Sequence, residues 1–155
     1  MKILYICTHN RCRSILCEAI TNASKGNVEA RSAGSQPVGE VHPLSLKYLA
    51  ERGIDTEGLR SQSWDEFEDY NADLVVTVCD SAAGESCPVY FGKSLKVHWG
   101  LEDPSKLKGT EEEKAKAFNT TIDIIEKRVA ALAELADKNL DKAALKEALS
   151  NLGAN

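Results

Sequence analysis

Apolar residues in this chain follow two rhythms: short unbroken runs, and longer stretches where they return every three or four positions. Lys2 to Ile6 (KILYI) is a run without alternation, as expected of a strand covered on both faces, and it ends at Cys7. Arg13 to Lys25 carries Ile15, Leu16, Ala19, Ile20 and Ala23 at helical spacing and is closed by Gly26. Val28 to Ala33 predicts a second strand, followed by a Gly/Pro-rich loop through Gly39. Pro43 opens a helix over Leu44 to Arg52, with Leu46 and Leu49 inward and Gly53 as its stop. Trp64 to Tyr70 predicts a short amphipathic helix. Asp73 to Cys79 (DLVVTVC) is the clearest buried strand, and Leu95 to Trp99 (LKVHW) predicts a fourth. From Thr110 onward the pattern turns helical, with Phe118, Ile122, Ile125, Val129, Leu132 and Leu135 in one stripe. Asp141 to Leu152 repeats it with Ala144, Leu145, Leu149 and Leu152. That last stripe either packs back on the sheet or mediates association, and the pattern leaves both open.

Strands that alternate with helices pair in parallel through right-handed crossovers, which predicts an α/β fold with an open four-stranded parallel sheet flanked by helices. Ligands in such sheets bind beyond the carboxyl ends of the strands. Cys7, Cys79 and the stretch after Trp99 all fall at those ends. The 155 residues are expected to form one domain, with 139–155 as a C-terminal helical extension, and to bury a sizeable core without staples.

Composition narrows the function. A net charge of −5 disfavours a nucleic-acid role, so an anionic ligand must meet local positive charge instead. No run approaches the roughly 18 apolar residues of a membrane span, and Ile3 to Ile6 is too short for a signal peptide, so a cytoplasmic address is expected. Five cysteines without an export signal are then reactive, ligands or incidental rather than structural disulfides. Their spacings include no CxxC, and His9, His42 and His98 form no zinc pattern, so no metal is required.

The chemistry concentrates in Cys7-Thr8-His9-Asn10-Arg11-Cys12-Arg13-Ser14, which has the form C-x5-R-S between a strand and a helix. Successive backbone N–H groups of such a loop converge on one point, and the helix N-terminus adds positive potential, making a cradle for a tetrahedral oxyanion. Arg13 closes it with a two-pronged fork, and the same field favours a Cys7 thiolate beneath the anion, poised to attack. Ser14 is placed to hydrogen-bond that sulfur, and Asn10 to hold the loop, because Asn tolerates left-handed backbone geometry. In shuffled chains of this composition the pattern C-x5-R-[ST] arises in roughly 2% of cases, so its position between strand and helix is informative. The plain alternative is that Cys7 is a small buried hydrophobe at a strand end.

From Lys2 to about Leu135 the sequence resembles the low-molecular-weight protein tyrosine phosphatase fold family, through the C-x5-R-S loop, Ser32-Ala33-Gly34 and Asp103-Pro104. The resemblance implies that fold, and makes Asp103 the general acid. Read from its residues alone, Asp103 is either an acid in a post-strand loop or part of an ordinary turn. Phosphatases of the family carry aromatic residues just after the Asp-Pro, whereas here Ser105 and Lys106 follow. His98-Trp99-Gly100-Leu101-Glu102-Asp103-Pro104 is instead similar to thioredoxin-coupled arsenate reductases, as is the placement of Cys79 and Cys87-Pro88. That likeness implies a relay in which Cys7 attacks arsenate, Cys79 attacks Cys7, Cys87 attacks Cys79, and thioredoxin reduces the resulting disulfide. The Cys79–Cys87 gap is one residue longer than the group's pattern. By themselves, Cys79 reads first as a packed core cysteine and Cys87 as a surface-loop cysteine. Cys12 offers a protective disulfide with Cys7, Cys17 reads as core, and His42 and His98 read as structural. The resemblance also implies potassium beside the loop, with Asn10, Glu18, Ser32, Ser63 and Asp65 where its ligands fall; Glu18 reads equally well as a surface carboxylate. The other functions that fit are a tyrosine or small-phosphomonoester phosphatase, and a non-enzymatic oxyanion sensor that responds to redox state.

Overall fold

The computed structural model describes residues 1–24, 28–67, 69–78, 94–101, 104–106, 108–138 and 140–153. Four strands, β1 (Lys2–Ile6), β2 (Glu29–Ala33), β3 (Leu74–Thr77) and β4 (Leu95–His98), form one sheet in the order β2-β1-β3-β4. Every neighbouring pair is parallel, with Ile3 opposite Ala30 and Leu74, and Leu74 opposite Leu95. β1 and β3 are the inner strands. Their runs of branched and aromatic residues bury Ile3 to Ile6 and Leu74 to Thr77, as strands covered on both faces require. The strand order reverses at β1: the chain steps from β1 to β2 on one side, then crosses to β3 and β4 on the other. The crevice for a ligand in such a sheet opens at that reversal, beyond the carboxyl end of β1.

Among the described residues four helices accompany the sheet: α1 (Arg13–Ala23), α2 (Pro43–Glu51), α3 (Glu111–Ala136) and α4 (Lys142–Gly153). α1 packs on β1 and β2, and α3 lies against α1 and α2. Phe118, Ile122, Ile125, Val129 and Leu132 of α3 are buried as the periodicity predicts, while Leu135 is half-buried. Thr110 caps α3 by accepting from the Glu113 N–H at 3.2 Å, and Glu111 to Glu113 place negative charge at the positive end of the helix. Gly53, at φ 73°, supplies the left-handed residue that ends α2, and its N–H bonds Ala50 O at 3.0 Å.

Several boundaries differ from the sequence expectation. α1 stops at Ala23 because Ser24 turns to extended backbone, and its hydroxyl and N–H both return to Thr21 O. In α2 the residues facing inward with Leu49 are Ser45 and Tyr48, while Leu46 is only half-buried. Tyr48 wins that place by packing its ring 5.2 Å from Phe118. The expected helix at Trp64 to Tyr70 is a single 3-10 turn, Trp64–Phe67. β3 and β4 end at Thr77 and His98, one or two residues earlier than predicted. α4 packs back on β4 and α3, with Leu149 fully buried, although Ala144 of the predicted stripe is exposed. Among the described residues, no helix is long and apolar enough to cross a membrane.

Candidate oxyanion site

β1 delivers Cys7 to the reversal point, where it is 6% exposed, and Cys12 is the N-cap of α1. No side chain caps α1, and the first turn of a helix carries its positive potential. The intervening loop is gripped through its carbonyl oxygens. Thr8 O accepts from Gln36 N at 2.9 Å, His9 O from Val38 N at 3.2 Å and from the Ser61 hydroxyl at 3.1 Å, and Arg11 O from His42 N at 2.9 Å. In a trans peptide the C=O and the following N–H point in opposite directions. With the Thr8, His9 and Arg11 carbonyls drawn outward, the N–H groups of His9, Asn10 and Cys12 are turned toward the space the loop encloses. That is the geometry of an anion nest.

Asn10 is the hinge pin of this loop. It is fully buried at φ 46°, donates from Nδ2 to Ser14 Oγ at 2.8 Å, and accepts at Oδ1 from Gln62 N at 2.8 Å. Gln62 in turn donates from Nε2 to Ser32 O at 3.0 Å and accepts at its own backbone oxygen from Gly34 N at 3.0 Å. Gln62 is a residue that the sequence reading missed: nothing in its local pattern separates it from a surface glutamine, and only the tertiary contact gives it a role. Gly34 is required for a different reason. A Cβ there would lie 2.4 Å from Thr8 O and 2.6 Å from Cys7 O, so the end of β2 and the loop touch backbone to backbone.

The remaining predicted residues sort clearly. His9 and Arg11 are exposed at the loop, with His9 Nδ1 3.2 Å from Gln36 O. Arg13 extends from the first turn of α1 and donates from Nη1 to Leu101 O at 3.0 Å, which joins the loop to the segment after β4. Asn10, Glu18 and Ser32 share one buried polar cluster, in which the Ser32 hydroxyl donates to Glu18 Oε1 at 2.7 Å. Burial pushes the Glu18 carboxyl above its usual range, and the Ser32 bond opposes that. Glu18 is therefore not a surface carboxylate. Ser63 sits beside this cluster through its pairing with Gly34, and its hydroxyl accepts from Asp65 N at 3.1 Å, while the Asp65 side chain is exposed. Burial also pushes the Cys17 thiol well up, consistent with a core residue. His42 caps α2 through Nδ1, and His98 Nδ1 lies 2.8 Å from Thr77 Oγ1, both structural placements. Cys79, Cys87 and Asp103 lie outside the described residues. Among the described residues, no group of three or more His, Cys, Asp or Glu side chains is placed to hold a metal ion.

The segment leading toward Asp103 is anchored at several points. Trp99 N donates to Thr77 O at 2.8 Å and Leu101 N to Val78 O at 3.2 Å. Trp99 is buried, with its ring 6.3 Å from Tyr5, and its indole N–H donates to Leu149 O of α4 at 2.8 Å. Arg128 of α3 reaches Gly100 O at 3.4 Å. Pro104, two residues beyond Asp103's own neighbour Glu102, is buried and begins a 3-10 turn.

A parallel four-stranded sheet whose inner strand β1 runs into a C-x5-R-S loop at the start of a helix is the arrangement of a phosphatase-type fold. The chain belongs to the low molecular weight phosphotyrosine protein phosphatase family, whose sequence profile matches residues 2–146. It is 39% identical over 133 residues to an arsenate reductase of Halalkalibacterium halodurans, spanning 85% of this chain and 94% of that protein. Its fold is similar to that of an arsenate reductase solved in a phosphate-binding state, with a TM-score of 0.70, 26% identity, and coverage of 86% of this chain and 96% of the other. It is also similar to a thioredoxin-dependent arsenate reductase of Corynebacterium glutamicum, with a TM-score of 0.58, 30% identity, and coverage of 83% of this chain and 61% of the other.

Proposed function

We propose that this chain is a thioredoxin-coupled arsenate reductase that works through Cys7. The observation that carries the reading is the similarity, over nearly their whole length, to arsenate reductases 36–39% identical to it. The cradle of Thr8 to Arg13 would hold arsenate by its oxygens, with Arg13 spreading its charge over two of them. The Cys7 sulfur attacks arsenic, and an arsenate oxygen leaves as water after taking a proton from Asp103. Ser14 would stabilise the attacking thiolate. Cys79 then attacks the Cys7 sulfur: a Cys7–Cys79 disulfide forms, the sulfur–arsenic bond breaks, and its electron pair stays on arsenic, which leaves as arsenite. Cys87 attacks Cys79 and releases Cys7 as thiolate, and an external dithiol reduces the Cys79–Cys87 disulfide. A reducing, cytoplasmic compartment fits this use of thiols.

A monovalent cation such as potassium fits the buried polar cluster. A carboxylate held away from water beside hydroxyl and amide oxygens is a hard-oxygen donor set. Asn10, Glu18 and Ser32 would hold the ion, with Ser63 and Asp65 contributing from the 3-10 turn. Bound there, it would favour the ionised form of Glu18 and steady the loop through Asn10.

The family membership supports a second reading, a phosphatase acting on a phosphotyrosine or small phosphomonoester, which needs Cys7, Arg13 and Asp103 but neither Cys79 nor Cys87. Arsenite production with thioredoxin, thioredoxin reductase and NADPH separates the two. Cys7→Ser should reduce turnover by about a thousandfold or more, and Cys79→Ser and Cys87→Ser should each abolish steady turnover. Phosphate-ester hydrolysis that persists in both of the latter variants, without arsenate turnover in the wild type, would make the protein a phosphatase.

A further inference from the structure

The backbone of the oxyanion loop attracts an anion only at close quarters. The pull of N–H dipoles and of a helix end fades within about one turn, whereas a full charge acts through solvent out to the Debye length, about 8 Å at physiological salt. The chain as a whole opposes the encounter, because its net charge is −5. A dianion that approaches this protein therefore gains from a full positive charge standing at the loop itself.

Arg11 supplies one. It lies in the middle of the Cys7 to Ser14 loop and is exposed. Its backbone oxygen accepts from His42 N at 2.9 Å, which fixes the place on the loop from which the side chain leaves. Among the described residues no carboxylate forms an ion pair with it. Inside so short a loop, any rotamer keeps the guanidinium near enough to act on an anion at that range. Arg13 is placed differently, half-buried in the first turn of α1 and tied to Leu101 O at 3.0 Å. The 34–42 stretch that grips the loop carries one acidic residue, Glu40, which is exposed as well. Without Arg11 that carboxylate would add to the repulsion the anion meets on its way in.

We propose that the Arg11 side chain is a capture charge: it draws a doubly charged tetrahedral oxyanion to the loop through solvent, while backbone N–H groups and Arg13 hold the ion once it has arrived. The attraction scales with the product of the two charges, so it favours a dianion over a singly charged ion. This rests on the oxyanion reading of the loop, and holds whether arsenate reduction or phosphate-ester hydrolysis follows.

The test measures the affinity of the full-length protein for inorganic phosphate by calorimetry, above the second ionisation of phosphate. Each protein is titrated in about 20 mM and in about 500 mM sodium chloride, which stretches and then collapses the screening length. Wild type is compared with Arg11→Gln, Arg11→Glu and Arg11→Lys. Lys146→Gln, at an exposed position of α4, removes one positive charge outside the loop and serves as the control. At low salt Arg11→Gln should bind phosphate about fivefold more weakly and Arg11→Glu about twentyfold more weakly. Arg11→Lys keeps the charge and should stay within about twofold of wild type, as should the control. At high salt all five proteins should agree within about twofold. Equal affinities at low salt would overturn the capture charge. So would a loss that persists at high salt or that Arg11→Lys shares, because the guanidinium would then touch the anion or shape the loop. On the reductase reading, kcat/KM for arsenate at low salt should fall by the same factors. A wild type that binds phosphate but reduces no arsenate would sink that reading alone, and the phosphate series would still decide the role of Arg11.

Discussion

The loop after β1 and the segment after β4 meet at the same edge of the sheet, yet different kinds of contact hold them. The first is braced from close by: Asn10 bonds Ser14 within the loop's own turn, and the 34–42 stretch takes its carbonyls. The second is braced by helices that come late in the chain, through Arg128 of α3 and Leu149 of α4, and by Arg13. A loop that must present many N–H groups to one anion gains from dense neighbouring support, because each donor has to be aimed. The segment after β4 is held at separate points along its backbone, by Thr77 O, Val78 O, Arg128 and Arg13. The two regions should therefore respond to different substitutions.

Gly34→Ala is the harshest way to break the first region. The added Cβ collides with two backbone carbonyls rather than a flexible side chain, so the loop or β2 must shift. The expected cost is about 3 kcal/mol of stability, read from denaturant unfolding, together with about a tenfold loss of phosphate affinity by calorimetry. Unchanged phosphate binding would show that the loop tolerates a displaced base. Asn10→Ala comes next. It removes the acceptor of a buried backbone N–H and the bond to Ser14, which should cost about 2 kcal/mol and weaken phosphate binding as well. Loss of stability alone, with affinity kept, would argue that Asn10 supports the fold and not the cradle.

Tyr5→Phe sharpens the comparison with the smallest effect, since Tyr5 stands on β1 and faces Trp99. The change keeps the ring and removes the 2.8 Å bond between the phenol and Thr21, at about 1 kcal/mol near neutral pH, with kcat unchanged. Burial pushes the folded phenol above its ordinary value. Its contribution is therefore complete below the unfolded tyrosine value of about 10 and declines as pH rises above it. Unfolding midpoints measured from about pH 8 to about pH 11 should show the wild-type advantage shrinking. A gap that stays constant across that range would mean that the buried phenol does not resist ionisation.

The same contrast explains what could be read from the sequence. The four strands and the C-x5-R-S loop declare themselves locally, because a buried strand is a run of apolar residues and an anion loop has fixed spacing. The long stripe of α3 was legible for the same reason. The bonds of Gln62 and Leu149 were not: Leu149 acts through a backbone oxygen that any residue carries, and Gln62 through its backbone and an amide that meets Ser32 O only in the fold. Glu18 reads equally well as a surface carboxylate until the fold places Ser32 over it. Ser45 and Tyr48 displaced Leu46 on the inner face of α2 because ring packing on Phe118 comes from 70 residues away.

Gly34 has a mechanical consequence as well. With no side chain between them, the end of β2 stands as a wall directly behind the Cys7 and Thr8 carbonyls. Main chain rests on main chain there, so the base of the loop has no slack on that side, and any volume added at position 34 must be taken up by moving a strand end or the loop itself.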